Sequence, residues 1–174
     1  MIAYPQPDEY KSFFGGYIQR VPETTDIVAL LSSQPDELRT LLQNVTDEQA
    51  NARPAPGEWS IKEIIGHIND TERIFAYRAL RIARNDSTPL PGFEQNAYVT
   101  ATDFNSRSLS DLLDEFTFQR RANVLCFKPL SAEETARRGT ASDAPISSRA
   151  LLFVMAGHVM HHIHSLKTDY KVTG

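Results

Sequence analysis

Three observations predict an all-α protein, an antiparallel four-helix bundle. Apolar residues recur at three- and four-residue spacing through four long stretches. Gly and Pro gather between those stretches, at 5–22, 54–57, 89–92 and 139–145. Only short runs look strand-like, so helices burying their faces against one another is the natural solution. At 174 residues the chain is expected to form one substantial core. The organisation it suggests is an N-terminal extension, 1–23, packing on a domain that spans 24–170.

The first long helix is predicted from about Asp26 to Asn44, with Ile27, Leu30, Leu31, Leu38, Leu41 and Leu42 on one face. Pro35 lacks an amide donor and crowds the carbonyl of Leu31. The apolar stripe nevertheless stays in phase across it, which favours one kinked helix over two. The second helix opens at Ser60 with Glu63 three residues on, a capping box. It buries Ile61, Ile64, Ile65, Ile68, Phe75 and Ile82 and ends near Asn85-Asp86. The stretch from Asp86 to Asn105 is too long to be a mere connector between the second and third helices, and it leaves the bundle's topology open. The third helix begins around Ser108 and carries Leu109, Leu112, Leu113, Phe116, Val124 and Phe127. Ser131 and Glu134 indicate one short helical turn, followed by a polar excursion from Gly139 to Pro145. The fourth helix starts at Ser147 or Ser148 and runs to about Lys167.

Bulk composition narrows the functions. Hydrophobic content of 41% and charged content of 23% are ordinary for a globular chain. A net charge of −4 argues against nucleic-acid binding through a basic surface, and Arg137-Arg138 is too short a run to change that. The single cysteine, Cys126, excludes an intrachain disulfide and fits a reducing compartment. It points off the inner face, which argues against a nucleophilic role. No stretch approaches about 18 apolar residues, and Met1 to Tyr10 lacks the apolar core of a signal peptide. A soluble, cytoplasmic protein without membrane contact is expected.

The chemistry concentrates in histidine. Four of the five histidines lie between 158 and 164, where a seven-residue window of this composition holds about 0.2. A residue advances about 100° around a helix, so His158 and His162 share a face, about 40° apart. That face also carries Leu151, Met155 and Leu166, so the two imidazoles interrupt a stripe meant for burial. His161 falls on the flank and His164 points away. His67 lies on the inward edge of the second helix and can face the pair across an antiparallel seam. Two buried imidazoles without partners are unfavourable, and neutral imidazole is the commonest protein metal ligand. His67, His158 and His162 are therefore the predicted ligands of a divalent metal. Glu63 and Asp70, each within a turn of His67, are candidates to orient its second ring nitrogen. Polar residues interrupt the other stripes: Gln34, Thr71, Arg78, Arg120 and Asn123. Together they suggest a wet cleft, with Arg78, Arg120 and Asn123 as candidate substrate-binding residues. Alternatively the two arginines pair with Asp70, Glu72 or Asp114. Trp59 reads as a core anchor ahead of the second helix.

The run Pro54-Ala55-Pro56-Gly57-Glu58-Trp59-Ser60-Ile61-Lys62-Glu63-Ile64-Ile65-Gly66-His67 resembles the second-helix signature of the DinB-like (DinB/YfiT-like) superfamily. So does Ala156-Gly157-His158 followed by His161-His162. Glu72 to Arg78 and Leu90-Pro91-Gly92-Phe93 resemble the same branch, and the likeness spans about 24–170. The resemblance implies a four-helix bundle, often a homodimer, with three histidines holding zinc, nickel or a similar divalent ion. On the matching positions those are again His67, His158 and His162, while His161 matches a family histidine that is not a ligand. Many relatives continue after the second ligand with Arg-Gly-Gln; here Ile163-His164-Ser165 stands instead. Characterised relatives include S-transferases and an isomerase that use low-molecular-weight thiols.

The expected activity is that of a metal-dependent enzyme acting on a small-molecule substrate. An ion held by three imidazoles lowers the pKa of a bound water or thiol, giving hydrolysis or thiol S-transfer. Two rivals stand beside it: an ion that only clamps helices or a dimer, and a degenerate site in which the fold alone survives. A structural ion is saturated by protein ligands and a catalytic one keeps an open position, so the decisive feature is a fourth ligand.

Overall fold

The computed structural model describes residues 1–174. Eight helices form in chain order: α1 (Ser12–Ile18), α2 (Ile27–Leu42), α3 (Asp47–Asn51), α4 (Ile61–Ala83), α5 (Gln95–Ala101), α6 (Leu109–Phe127), α7 (Ala132–Ala136) and α8 (Ser148–Thr168). Two short strands, β1 (Arg138–Ala141) and β2 (Ala144–Ser147), precede α8. The helices α2, α4, α6 and α8 make the four-helix bundle. None of them is long and apolar enough to cross a membrane.

Local chemistry sets the helix starts. Asp26 accepts from the amides of Val28 and Ala29, so α2 opens one residue after its cap. Ser60 and Glu63 close the predicted capping box of α4, and Ser131 with Glu134 does the same for α7. Ser108 and Ser147 cap α6 and α8 through single bonds to the amides of Asp111 and Ala150. These contacts satisfy amides that the first helical turn leaves without partners. Pro35 sits inside α2, which continues to Leu42.

The two apolar cores reveal the helix directions. One core joins Ile27 and Leu31 with Phe75 to Ile82, Phe127 and Ala150 to Ala156. The other joins Leu38 to Leu42 with Ile61 to Ile68, Leu109 to Phe116 and Val159 to Leu166. Helices α2 and α8 therefore run from the first core to the second, and α4 and α6 run back. In cross-section α4 packs between α6 and α8, and α2 packs between the same two on the opposite side. The seams α4–α8 and α2–α6 are antiparallel; α2–α8 and α4–α6 are parallel. Parallel neighbours need a return connection as long as the bundle. The stretch after α4 provides it, and it is not bare loop: it contains α5 and a turn of 3-10 helix at Phe104–Ser106.

Two further segments are more ordered than the sequence suggests. The polar excursion is a hairpin, with Arg138 paired to Ser147 and Ala141 to Ala144. Its two-residue turn holds Ser142 and Asp143 at φ of 53° and 57°, the left-handed pair that suits strand twist. Gly139 lets β1 lie on Ile82, where a Cβ would come within 2.7 Å of the side chain. Ahead of the bundle, α1 lies along α8, burying Phe14 and Ile18. Gly157 makes that approach possible, since a Cβ there would stand 2.0 Å from the carbonyl oxygen of Tyr17.

Candidate metal centre

Helix α4 contributes His67 and helix α8 contributes His158 and His162, from opposite sides of an antiparallel seam. All three are buried, at 3%, 4% and 8% exposure. One ligand nitrogen from each lies within 4.8 Å of the other two. The Nε2 atom of His158 is 3.0 Å from Nε2 of His67 and 3.0 Å from Nε2 of His162. A neutral imidazole nitrogen carries either one N–H or one lone pair in the ring plane. His158 Nε2 therefore cannot satisfy both contacts as hydrogen bonds. A cation can, because it accepts all three lone pairs at once. Nitrogens about 2.1 Å from a common ion stand about 3.0 Å apart at right angles and about 3.4 Å apart at the tetrahedral angle. The donor set fits a divalent ion.

Protonation favours the same state. Burial pushes the imidazole of His67 down to about 4, with the charge of His161 adding to it. Burial likewise holds His158 and His162 well below the ordinary histidine range, reinforced by the neighbouring imidazoles. All three are neutral at pH 7, so an ion displaces no proton from them.

Thr71, one turn beyond His67, reaches the back of His158. Its hydroxyl donates to the carbonyl oxygen of His67 at 2.8 Å. With that proton committed, the oxygen is left to accept from His158 Nδ1, a long contact of 3.4 Å. This places the proton on Nδ1 and the lone pair on Nε2, toward the cluster. The sequence marks Thr71 only as an interruption of an apolar stripe.

Several predicted site residues lie elsewhere in purpose. Glu63 does not reach His67: one carboxylate oxygen accepts from the Ser60 amide at 2.7 Å and the other from Arg53. Asp70 is half-buried among Arg73, Arg107 and Glu115, and makes no bond to His67 either. Arg120 is 1% exposed and clamps Glu72 through two bonds of 2.9 Å, so no substrate meets it. Asn123 donates to the same carboxylate at 2.8 Å, and Gln34 accepts from Arg120 while donating to the carbonyl of Ala156 at 2.8 Å. Gln34, Glu72 and Arg120 satisfy one another inside the bundle rather than lining a wet cleft, and half-buried Asn123 lines a separate surface pocket with Tyr77 and Cys126. Trp59 is half-buried and packs against the second apolar core. Its ring packs 4.9 Å from that of His67 and walls a small cleft of about 290 Å³ beside His162.

Arg78 differs from Arg120. It is one of the walls of a cavity of about 640 Å³ that also reaches His158 and Thr71. Phe14, Phe75 and Phe93 supply apolar walls, and Tyr17 lines the cavity beside His158. The Tyr17 ring meets His158 edge-on at 5.4 Å and His161 at 5.7 Å. Burial raises its phenol above the ordinary tyrosine value, against the charge of Arg20, and keeps it protonated. Neither α1 nor Tyr17 carries a sequence signal for a site: the helix is short, holds two glycines and sits among prolines. His161 is half-buried and His164 exposed, and neither joins the cluster. No carboxylate or fourth imidazole completes it.

No curated protein matches the chain. Among solved structures, the fold is similar to YfiT from Bacillus subtilis, described as "a probable metal-dependent hydrolase with an unusual four-helix bundle topology". That likeness has a TM-score of 0.73 at 16% identity, over 99% of this chain and 95% of that one, and it bears on the fold. Residues 30–166 match the family model of the DinB superfamily, so the chain belongs to that superfamily.

Proposed function

We propose that the protein is a metal-dependent enzyme that hydrolyses a small molecule, with His67, His158 and His162 holding the ion. The observation that carries this reading is the convergence of three neutral imidazoles, His158 Nε2 being 3.0 Å from each of the others, without a fourth protein ligand. A site with three ligands keeps a position for water or substrate, as a saturated structural site does not. The description of the structurally similar YfiT as a probable metal-dependent hydrolase supports the same reading.

A divalent ion here, zinc or nickel on this donor set, supplies Lewis acidity and lowers the pKa of a water or thiol in its open position. The chain's residues do the rest. Thr71 holds the tautomer of His158, Phe14 and Phe75 give the adjoining cavity apolar walls, and Tyr17 offers a protonated phenol beside His158. Thiol S-transfer is the second reading. It is favoured by a cavity of about 640 Å³, room for a low-molecular-weight thiol beside its acceptor.

Metal analysis of the purified protein tests the centre, with about one ion per chain expected and His158→Ala expected to lose it while keeping its helical circular dichroism. A panel of small esters and amides, with and without added thiol and chelator, then tests the chemistry. Protein that takes up no divalent ion, or turnover indifferent to both chelator and His158→Ala, overturns the proposal.

A further inference from the structure

The cavity beside His158 contains a charge that the protein leaves uncompensated. Arg78 is 2% exposed, and a buried arginine is ordinarily paired. The other fully enclosed guanidinium, Arg120, has the carboxylate of Glu72. Arg78 makes no ion pair. Its Nη2 donates to the carbonyl oxygen of Pro91 at 2.6 Å and to Ser142 Oγ at 3.0 Å. Its guanidinium carbon lies 6.0 Å from the centre of the Phe75 ring and 5.7 Å from that of Phe93. Nε and Nη1 have no protein acceptor. No sealed side-chain nitrogen or oxygen in the molecule lacks a partner, so these donors keep access to solvent, and Arg78 walls both this cavity and a smaller one of about 240 Å³ beside Pro91 and Tyr98. Burial lowers the guanidinium's pKa from its usual value, and an arginine in a protein keeps its charge at neutral pH.

We propose that this cavity receives a small molecule bearing a carboxylate, which Arg78 binds at the end remote from the histidines. The inference rests on the reading that the histidine cluster is the reacting end. Thr71, behind His158, and Arg78 are two turns apart on α4, about 10 Å along its axis. The ligand is thus elongated, with its anion on Arg78 and the rest of it extending toward His158. Phe14, Phe75 and Phe93 suit an apolar body between the two. A single carboxylate matches a single enclosed cation. Lys11 and Glu94 at the cavity's exposed rim balance each other, leaving nothing for the second charge of a phosphate dianion.

The test uses 4-phenylbutanoate and its neutral counterpart 4-phenylbutanamide as probes, titrated calorimetrically into the metal-loaded protein, the chelated protein and Arg78→Gln. The carboxylate is expected to bind about tenfold tighter than the amide, with or without the ion. Arg78→Gln is expected to bring it down to the amide's affinity while leaving amide binding unchanged, which also shows that the cavity is intact. In the wild-type protein, the Nε–H resonance of Arg78 is expected to shift with the carboxylate and not with the amide. Equal binding of the two probes, no binding of either, or a preference that survives Arg78→Gln overturns the proposal. So does a preference that disappears on chelation, since that places the carboxylate on the ion. If the protein takes up no metal, the enzyme reading fails while the Arg78-dependent preference remains, so the two failures are distinguishable.

Discussion

A neutral imidazole presents a lone pair on one nitrogen only, and in His158 a hydroxyl on the neighbouring helix selects which. Thr71 spends its proton on the His67 carbonyl and so can only accept from His158 Nδ1. Thr71→Val keeps the shape and removes the acceptor. It is expected to weaken metal affinity about 10- to 100-fold with little change in fold, measured by competition with a chromogenic chelator. Affinity within twofold of wild type would show that the 3.4 Å contact carries nothing. At this scale the sequence revealed the metal ligands better than their supports. His158 and His162 are legible because a four-residue spacing on an apolar face has few meanings. The support of His67 by Glu63 and Asp70 was inferred from nearness along one helix, which says nothing about where a carboxylate turns. Glu63 turns to the helix cap and Asp70 to the surface. Thr71 acts across the seam, and a pairing between helices has no spacing to read.

Among the elements, α1 has the least sequence signal, yet it reaches the candidate centre through Tyr17, whose ring packs against His158. It stays there because Gly157 admits the Tyr17 backbone and because the segment just before it is anchored by Glu9. The Glu9 carboxylate accepts from Ser147 Oγ at 2.6 Å and from two nitrogens of Arg149, at the start of α8. Burial pushes its pKa up, but the bonds from Arg149 and Ser147 outweigh that and hold it below the ordinary glutamate value. A group depressed in the folded state contributes stability that is complete above its unfolded pKa, here 4.5, and is lost as the pH falls through the folded value. Between pH 7 and pH 3.5 the wild-type melting temperature is therefore expected to fall further than that of Glu9→Gln, whose anchor is already lost at neutral pH. Parallel declines in the two proteins would remove Glu9 from the account. The sequence showed the four long helices because each repeats its apolar pattern over several turns. It did not show α1, α5 or the hairpin, whose few residues are held by tertiary contacts such as Tyr17 on Gly157 and Gly139 on Ile82.

Across the whole molecule, every bundle helix places buried polar residues where the two apolar cores meet, with His67 and His162 lying among residues of the second core. Helix α2 gives Gln34, α4 gives His67, Thr71 and Glu72, α6 gives Arg120, and α8 gives His158 and His162. Half of this waist is the metal centre, and the other half is the Gln34–Arg120–Glu72 network, tied through Gln34 to the carbonyl of Ala156, two residues before His158. A buried ion pair is seldom a net source of stability, although breaking one side of it costs about 3–5 kcal/mol. Arg120→Met alone is expected to lose that much in urea unfolding, because it leaves Glu72 enclosed without its cation. The triple variant Gln34→Leu, Glu72→Leu, Arg120→Met joins the two cores and is expected to unfold within about 2 kcal/mol of wild type. If the network serves the centre instead, by fixing how far α8 slides along α2 and α6, the same variant should bind metal more weakly at unchanged stability. A triple variant as unstable as the single one would make the polar waist a stabilising element in its own right. One with wild-type metal affinity would detach the network from the site, leaving the antiparallel α4–α8 seam alone to bring His67 to His158 and His162.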